Sequence, residues 1–190
     1  MDRDPAKAER RRALRAARRE RVAGRDPVAD SEALARVAVE EVERLGLGPG
    51  SVVLSYASVP GEPPTGALNA ALTGRGVRVL LPLTEPDLDL DWHDAEDPLS
   101  SPLGRDAPSA ADLVLAPGLA VDRRGTRIGQ GGGCYDRALP RRRPGVPVLA
   151  VLHPGELLDT DDAPLPREPH DQPVDGVLTA EGVHRLDPGR

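Results

Sequence analysis

The 190-residue sequence has few aromatic side chains, a single cysteine and no long apolar run. One Trp, two Tyr and no Phe leave little for the stacked aromatic platforms that bind single-stranded nucleic acid. One cysteine excludes a disulfide framework and a multi-cysteine metal site within the chain. No apolar stretch approaches the ~18 residues of a membrane span, and the first residues (MDRDPAKAERRR) lack the apolar core of a secretory signal. We therefore expect a cytoplasmic, monomeric protein that binds neither membranes nor nucleic acid.

Charge is distributed unevenly along the chain. Residues 1–25 hold 10 basic and 4 acidic side chains, whereas the whole chain has a formal net charge of -6. A uniformly acidic body does not attract nucleic acid, but a basic N-terminal segment suits a ligand that carries phosphate. The alternative is a solvated, Arg-rich helix folded back on the acidic body. The charge pattern alone leaves both interpretations open.

Hydrophobic periodicity predicts an alternation of helices and strands. An Arg-rich helix is expected over 5–22 and an amphipathic one over 31–45. A strand–helix–strand unit follows, which is typical of a parallel sheet with helices on its faces. We predict an α/β fold with a parallel or mixed sheet, built from that unit (strand 51–56, helix 65–73, strand 77–82) and from strands at 88–92, 113–121, 146–152 and 174–179. The strand over 113–121 carries a Pro-Gly interruption.

The densest motif is a glycine-rich loop within residues 122–139 (DRRGTRIGQGGGCYDRAL). Its glycines at 129, 131, 132 and 133 let backbone N–H groups approach a ligand, and such a loop before a helix is typical of an anion site. Arg124 and Arg127 would add cationic contacts to phosphate, and Asp136 would hold Mg²⁺ beside phosphate oxygens. The spacing fits neither a P-loop nor a Rossmann fingerprint. The pattern by itself leaves a tight, mobile turn open as the alternative.

This loop, with three other segments, resembles the 5-formyltetrahydrofolate cyclo-ligase (methenyltetrahydrofolate synthetase) family. Residues 127–137 (RIGQGGGCYDR) follow the family's order of Arg, glycine run, Tyr and Asp-Arg. Residues 11–15 (RRALR) correspond to its N-terminal Lys-x-x-Leu-Arg pattern, and residues 62–65 (EPPT) to its Glu-x-x-Thr pattern. Residues 168–171 (EPHD) resemble its C-terminal end. The resemblance runs from about residue 7 to about residue 180.

The resemblance implies a single domain over residues 1–190, a three-layer α/β/α sandwich like that of sugar-phosphate isomerases and CoA transferases. It also implies an ATP- and Mg²⁺-dependent enzyme that converts 5-formyltetrahydrofolate to 5,10-methenyltetrahydrofolate and releases ADP and phosphate. The formyl oxygen would attack the γ-phosphate, and N10 of the folate would then displace phosphate. Phosphoryl transfer requires positioning and charge neutralisation more than a covalent nucleophile.

The resemblance further assigns residues to each ligand. The N-terminal helix and the glycine loop would bind ATP, the loop and the end of the first strand would bind the folate, and two aspartates would bind Mg²⁺. Trp92 is expected in the same cleft. The sets are Arg11, Arg12, Ala13, Leu14, Arg15, Arg127, Ile128, Gly129, Gln130, Gly131, Gly132, Gly133, Cys134 and Tyr135 for ATP; Tyr56, Glu62, Gln130, Gly131, Gly132, Gly133 and Cys134 for the folate; and Asp136 and Asp171 for Mg²⁺.

Three positions depart from the family pattern. Arg11 stands for its Lys, Cys134 for a Tyr and Ala107 for a Glu. An Arg keeps the charge of a Lys but presents a planar fork in place of a point cation. Two alternatives therefore stay open: a divergent paralogue that binds nucleotide with another activity or none, and a protein that binds RNA through the Arg-rich helix.

Overall fold

The computed structural model describes residues 5–99, 101–159 and 164–186. Its helices are α1 (Pro5–Ala23), α2 (Pro27–Arg44), α3 (Gly66–Thr73) and α4 (Cys134–Ala138). Its strands are β1 (Val52–Leu54), β2 (Arg78–Thr84), β3 (Leu90–Asp94), β4 (Leu113–Pro117), β5 (Ala120–Asp122), β6 (Arg127–Ile128), β7 (Val148–Val151), β8 (Leu157–Leu158), β9 (Gly176–Thr179) and β10 (Gly182–Arg185). No helix in these ranges combines the length and the apolarity needed to cross a membrane.

Seven strands form one mixed sheet in the order β10-β9-β7-β4-β1-β2-β3. The inner strands β9, β7, β4, β1 and β2 run parallel to one another, whereas the outer strands β3 and β10 pair antiparallel to their neighbours. Three short strands form a second sheet in the order β6-β5-β8. The predicted α/β class with a mixed sheet is confirmed.

Two apolar clusters lie on opposite faces of the large sheet. Because successive side chains of a strand point to opposite faces, Val53 of β1 contributes to one cluster and Leu54 to the other. Leu34 of α2 and Leu68 of α3 pack on the Val53 side, and Tyr135 of α4 packs on the Leu54 side. The sheet is therefore covered on both faces, as the three-layer prediction requires.

Helix α2 begins four residues earlier than predicted because of its N-cap. The Asp26 side chain accepts hydrogen bonds from the backbone N–H groups of Val28 and Ala29, which an N-cap aspartate does readily. Pro27 occupies the first helical position, where its missing N–H costs nothing.

Helix α1 has no comparable apolar face. Its buried residues are Lys7, Arg11 and Arg18, and its Leu14 packs against a small cluster under the second sheet. This spacing places the four side chains on one side of the helix. Polar and charged contacts therefore provide most of the attachment of α1 to the body of the protein.

The prediction of one strand over 113–121 is wrong, because this segment forms two strands in different sheets. β4 ends at Pro117 and β5 begins at Ala120, with a turn at Gly118 between them. A Cβ on Gly118 would lie 3.2 Å from Leu152 Cδ2, so a larger residue here would crowd Leu152. The sequence did not predict β6, β8 or β10, two of which have only two residues.

Candidate active site

A cavity of about 600 Å³ lies at the carboxyl ends of the parallel strands. Tyr56, just after β1, Thr84, at the end of β2, and Pro117, at the end of β4, contribute to its wall. From β1 the sheet extends to β2 on one side and to β4 on the other. The cavity therefore lies at the switch point where open α/β sheets bind ligands.

The glycine-rich loop forms one wall of this cavity, and every residue from 129 to 136 lines it. Two of its four glycines have a positive φ, Gly131 at 111° and Gly133 at 68°. A Cβ on Gly133 would also lie 3.2 Å from the Nη1 of Arg137, which donates to the carbonyl of Gly132 at 2.8 Å. The loop conformation thus favours glycine at positions 131 and 133.

Arg127 lies beneath the loop and holds Asp136 in place. Its Nη2 donates to Asp136 Oδ1 at 3.1 Å and its Nη1 to the carbonyl of Pro117 at 3.1 Å. Its guanidinium carbon lies 5.8 Å from the centre of the Tyr135 ring, within the range of a cation–π contact. Asp136 Oδ1 also accepts the backbone N–H of Gln172 at 3.0 Å. Arg127 is therefore a buried positioning residue for Asp136.

Lys7 is a site residue that sequence reasoning missed. It lines the cavity, and its Nζ donates to Asp171 Oδ2 at 2.5 Å and to Glu168 Oε2 at 2.7 Å. Burial alone would lower the pKa of this ammonium group, but the hydrogen bonds to both carboxylates outweigh it and the pKa is raised. Lys7 is the only lysine of the chain, and it lies four residues before Arg11, on the same side of the helix. These two features could have identified it from the sequence.

The Asp171 carboxylate is held in its charged form. Burial tends to raise its pKa, but the backbone N–H of Glu168 and the ammonium of Lys7 bind it, and the net pKa is lowered. Oxygen or nitrogen atoms of Glu168, His170 and Asp171 lie within 4.8 Å of one another. Asp136 lies next to this group because it binds the N–H of Gln172, the residue after Asp171. The site therefore gathers three carboxylates, the ligand type that Mg²⁺ prefers.

Only some of the residues that the resemblance assigns to ATP lie at the cavity. Arg11 lines the cavity, with its Nε bonded to the carbonyl of Gly129 at 3.0 Å. Arg15 lies just outside and binds Gln130 through its side chain at 3.0 Å and its carbonyl at 2.8 Å. Consecutive residues of a helix point in different directions, so the whole stretch cannot face one ligand.

The remaining residues of those predicted segments do not line the cavity. Arg12 and Ala13 are exposed on another face of α1, whereas Leu14 and Ile128 belong to the small apolar cluster under the second sheet. Arg124, expected to contact phosphate, is exposed and bonds to the carboxylate of Asp122 at 3.3 Å.

Two buried tyrosines also line the cavity. Tyr56 is 4% exposed, and its hydroxyl has no hydrogen-bond partner among the described residues. Burial raises the pKa of Tyr56 well above its ordinary value. Burial also raises the pKa of Tyr135, whose hydroxyl donates to the carbonyl of Ser55 at 3.4 Å. Both phenols are therefore neutral hydrogen-bonding groups.

Trp92 does not lie in the cleft as expected. It is fully buried and packs edge-on against Tyr135, with ring centres 6.3 Å apart. The indole supports the tyrosine ring from behind and is not among the residues that line the cavity.

Leu88 also lines the cavity, in an unusual backbone conformation, and its carbonyl accepts the Nη1 of Arg137 at 3.4 Å, the atom that also binds Gly132 of the loop. It lies in the turn between β2 and β3, has a φ of 65° and is 42% exposed. A left-handed conformation costs a residue with a Cβ roughly 1–2 kcal/mol and persists only where the surroundings impose it. Next to it, Asp89 binds the Arg141 guanidinium at 2.6 and 2.8 Å, which lowers the pKa of Asp89 to about 2. This ion pair fixes the turn that carries Leu88.

Four arginines of α1 form hydrogen bonds with other parts of the protein. Arg11 and Arg15 bind the glycine loop, Arg18 binds Glu156, and Arg21 binds the carbonyl of Gly155. The helix is therefore folded back on the acidic body, and these four side chains are engaged there.

Comparisons with known proteins agree on one family. Residues 3–180 match the model of the 5-formyltetrahydrofolate cyclo-ligase family. The chain is 39% identical over 147 residues to a 5-formyltetrahydrofolate cyclo-ligase from Mycolicibacterium smegmatis, which covers 68% of this chain and 74% of the relative.

Two solved structures share the fold. A 5,10-methenyltetrahydrofolate synthetase from Mycoplasma pneumoniae superimposes with a TM-score of 0.71 at 17% identity, covering 90% of this chain and 99% of the other. One from Aquifex aeolicus gives a TM-score of 0.69 at 23% identity, covering 97% and 94%.

Proposed function

The chain belongs to the 5-formyltetrahydrofolate cyclo-ligase family, and from that premise we propose that it converts 5-formyltetrahydrofolate to 5,10-methenyltetrahydrofolate, using ATP and Mg²⁺ and releasing ADP and phosphate. One observation carries the proposal. A single cavity brings a glycine loop, two cationic side chains of α1 and the carboxylates of Asp136 and Asp171 together with the apolar side chains of Tyr56, Tyr135 and Leu88.

The charged side suits the triphosphate of ATP. Backbone N–H groups of residues 129–133 would face phosphate oxygens, and Lys7 and Arg11 would neutralise their charge. Asp136 and Asp171 would hold Mg²⁺, with Glu168 beside them, and the bound ion would supply further positive charge to the phosphates. Lys7 forms an ion pair with Asp171, so metal binding to Asp171 would free the Lys7 ammonium group for a phosphate oxygen.

The reaction proposed at this site consists of two displacements. The formyl oxygen attacks the γ-phosphorus, and the bond from phosphorus to the leaving ADP oxygen breaks. N10 then attacks the formyl carbon and loses its proton, and the carbon–oxygen bond to phosphate breaks to give the methenyl bridge. Lys7 and Arg11 neutralise charge on the transferred group, which is where catalysis of phosphoryl transfer mostly lies.

The apolar side suits the reacting end of the folate. Tyr56, Tyr135 and Leu88 would exclude water from the intermediate, whose hydrolysis would waste ATP. Glu62, half-buried at the edge of the cavity, offers a carboxylate to N–H groups of the substrate. Because residues of one chain complete the cavity, a monomer would suffice, and the single free cysteine fits a reducing cytoplasm.

An absorbance assay at the methenylfolate band tests the proposal. Purified protein, 5-formyltetrahydrofolate, Mg²⁺ and ATP should give a rise that disappears when any one component is omitted. Asp136→Asn and Arg11→Ala should lose the rise while keeping the wild-type circular dichroism, and Arg36→Ala, an exposed arginine of α2, is the matched control. A flat trace with folded wild-type protein would overturn the proposal in favour of the divergent paralogue.

A further inference from the structure

Guanidinium groups bind three of the carbonyls in the glycine-rich loop. Arg11 and Arg15 of α1 donate to the carbonyls of residues 129–130, at 3.0 and 2.8 Å. Arg137 of α4 donates from its Nη1 to the carbonyl of Gly132, at 2.8 Å. The loop is therefore held from α1 at its start and from α4 at its end.

The contact made by Arg137 fixes the direction of the next peptide N–H. In a planar trans peptide the carbonyl and the N–H point in opposite directions, so the N–H of Gly133 points away from Arg137. Gly133 lines the cavity, and its N–H has no acceptor among the residues that the structure describes. This N–H is thus a donor that a ligand of the cavity can use.

The orientation of this peptide matters because its two ends carry opposite partial charges. A loop binds an anion through its N–H groups, whereas a carbonyl oxygen turned to the same place would repel a phosphate. Glycine adopts either sign of φ readily, so the peptide between Gly132 and Gly133 needs an outside contact to keep one orientation. Arg137 supplies that contact.

Arg137 is itself held by the turn between β2 and β3. Its Nη1 also donates to the carbonyl of Leu88 at 3.4 Å. The ion pair of Asp89 with Arg141 fixes this turn, with contacts of 2.6 and 2.8 Å, and Arg141 ends the short 3₁₀ helix that follows α4. The segment after the loop therefore binds the turn twice, which keeps the exposed Arg137 guanidinium beside the loop.

We propose that Arg137 is a positioning residue of the active cavity: it holds the Gly132 carbonyl and thereby presents the Gly133 N–H to a phosphate oxygen of ATP. The identity of this anion as ATP rests on the proposed function. Arg137 acts through the loop peptide, so its guanidinium need not touch the phosphates. The competing explanation is a direct cationic contact between Arg137 and ATP.

NMR of the ¹⁵N-labelled full chain, titrated with ATP and Mg²⁺ in the absence of folate, observes each glycine amide separately. In the wild type, the amide protons of Gly131 and Gly133 should move downfield at saturation, as charge-assisted hydrogen bonds form. In Arg137→Met the shift of Gly133 at saturation should fall below half of its wild-type size, whereas that of Gly131 should be kept. Arg36→Met is the matched control and should behave as the wild type does.

The shift at saturation distinguishes positioning from a direct cationic contact. A direct contact predicts weaker binding of ATP by Arg137→Met but the same Gly133 shift once the protein is saturated, and that result would overturn the inference. So would a Gly133 amide that does not respond to ATP in the wild type. Arg137→Lys, which keeps a donor near the Gly132 carbonyl, should recover much of the shift, and circular dichroism verifies that both variants are folded.

Turnover measurements separate this inference from the proposed function. Outright removal of one preorganised donor commonly lowers kcat by about 10²–10³; Arg137→Met only releases the peptide, so kcat should fall about tenfold or more while the KM for the folate stays unchanged. Wild-type turnover with equal Gly133 shifts in the two proteins would refute the positioning role alone. Absence of wild-type turnover, with a Gly133 shift that depends on Arg137, would instead refute the cyclo-ligase proposal.

Discussion

Two helices of nearly equal length are attached to the body by opposite means. α2, with 18 residues, buries Leu34, Val37 and Val42 against the sheet, whereas α1, with 19 residues, buries Lys7, Arg11 and other polar groups. Apolar burial depends little on pH, salt or ligand, whereas ion pairs respond to all three. The attachment of α2 is therefore insensitive to ligands, whereas α1 is attached by contacts that a charged ligand can change.

The contacts of α1 coincide with the proposed substrate path. Lys7 binds Asp171 at the metal end, Arg11 binds the glycine loop, and Arg15 binds Gln130 just outside the cavity. The helix therefore closes the site with the same groups that would contact phosphate. A helix held by an apolar stripe would close the site equally well but would offer nothing to an anion.

The largest expected effect lies in α2. Leu34 is 1% exposed, and Leu34→Ala should lower the free energy of unfolding by about 2–5 kcal/mol, as truncation of a buried leucine does. Urea unfolding measures the loss, and turnover at low temperature should stay near wild type because α2 does not line the cavity.

Leu14→Ala is the matched variant in α1. Leu14 is only partly buried against its small cluster, so its loss should cost clearly less than that of Leu34. If the two variants were equally destabilised, the contrast between an apolar and a polar attachment would be wrong.

Next in size is the loss of activity in Lys7→Met. Removal of one cation that stabilises transferred charge commonly lowers kcat by about 10²–10³, and methionine keeps most of the side-chain volume. We expect turnover of the folded protein to fall by that factor, and Arg36→Met serves as the control. Full turnover in Lys7→Met would remove Lys7 from the site and return the cationic role to Arg11 alone.

The third prediction concerns pH. The pKa of Asp171 is lowered in the folded protein, so its contribution is present above the unfolded carboxyl pKa and is lost as pH falls through the folded value. The pKa of Lys7 is raised, so its contribution is present below the unfolded pKa and is lost as pH rises through the folded value. The first turns of α1 should therefore lose protection in both acid and strong base.

Hydrogen exchange measures this difference between the helices. Protection factors of residues 9–12, the first amides bonded within α1, should fall toward pH 3 and again above pH 10.5, whereas those of the α2 segment around Leu34 should change less. ATP with Mg²⁺ should increase the protection of α1 at neutral pH if the helix closes over the phosphates. Parallel loss of protection in both helices would show that they open as one unit.

Local patterns predicted much of the fold and part of the site. Alternation and helical spacing are local signals, so α2, β1 and the glycine loop were predicted close to their observed places. The Pro-Gly interruption between β4 and β5 was recognised in the sequence. The division of this segment between two sheets was not predicted, because it depends on pairing with β7 and β8, which are distant in sequence. Lys7 was missed because its partners lie more than 160 residues away.

The smallest expected effect is at Leu88, which lines the cavity beside the glycine loop. Glycine adopts a φ of 65° without strain, so Leu88→Gly should raise the free energy of unfolding by up to about 1 kcal/mol, whereas Leu88→Ala keeps the strain and should not. Both variants remove the apolar side chain from the cavity and should raise the KM for the folate several-fold. Stability should therefore rise only in Leu88→Gly, whereas KM should rise in both variants. The two measurements distinguish the effect of the backbone conformation on stability from the effect of the side chain on substrate binding. Equal stability of the two variants would show that the strain is relieved elsewhere in the turn, and an unchanged KM would remove Leu88 from the folate wall.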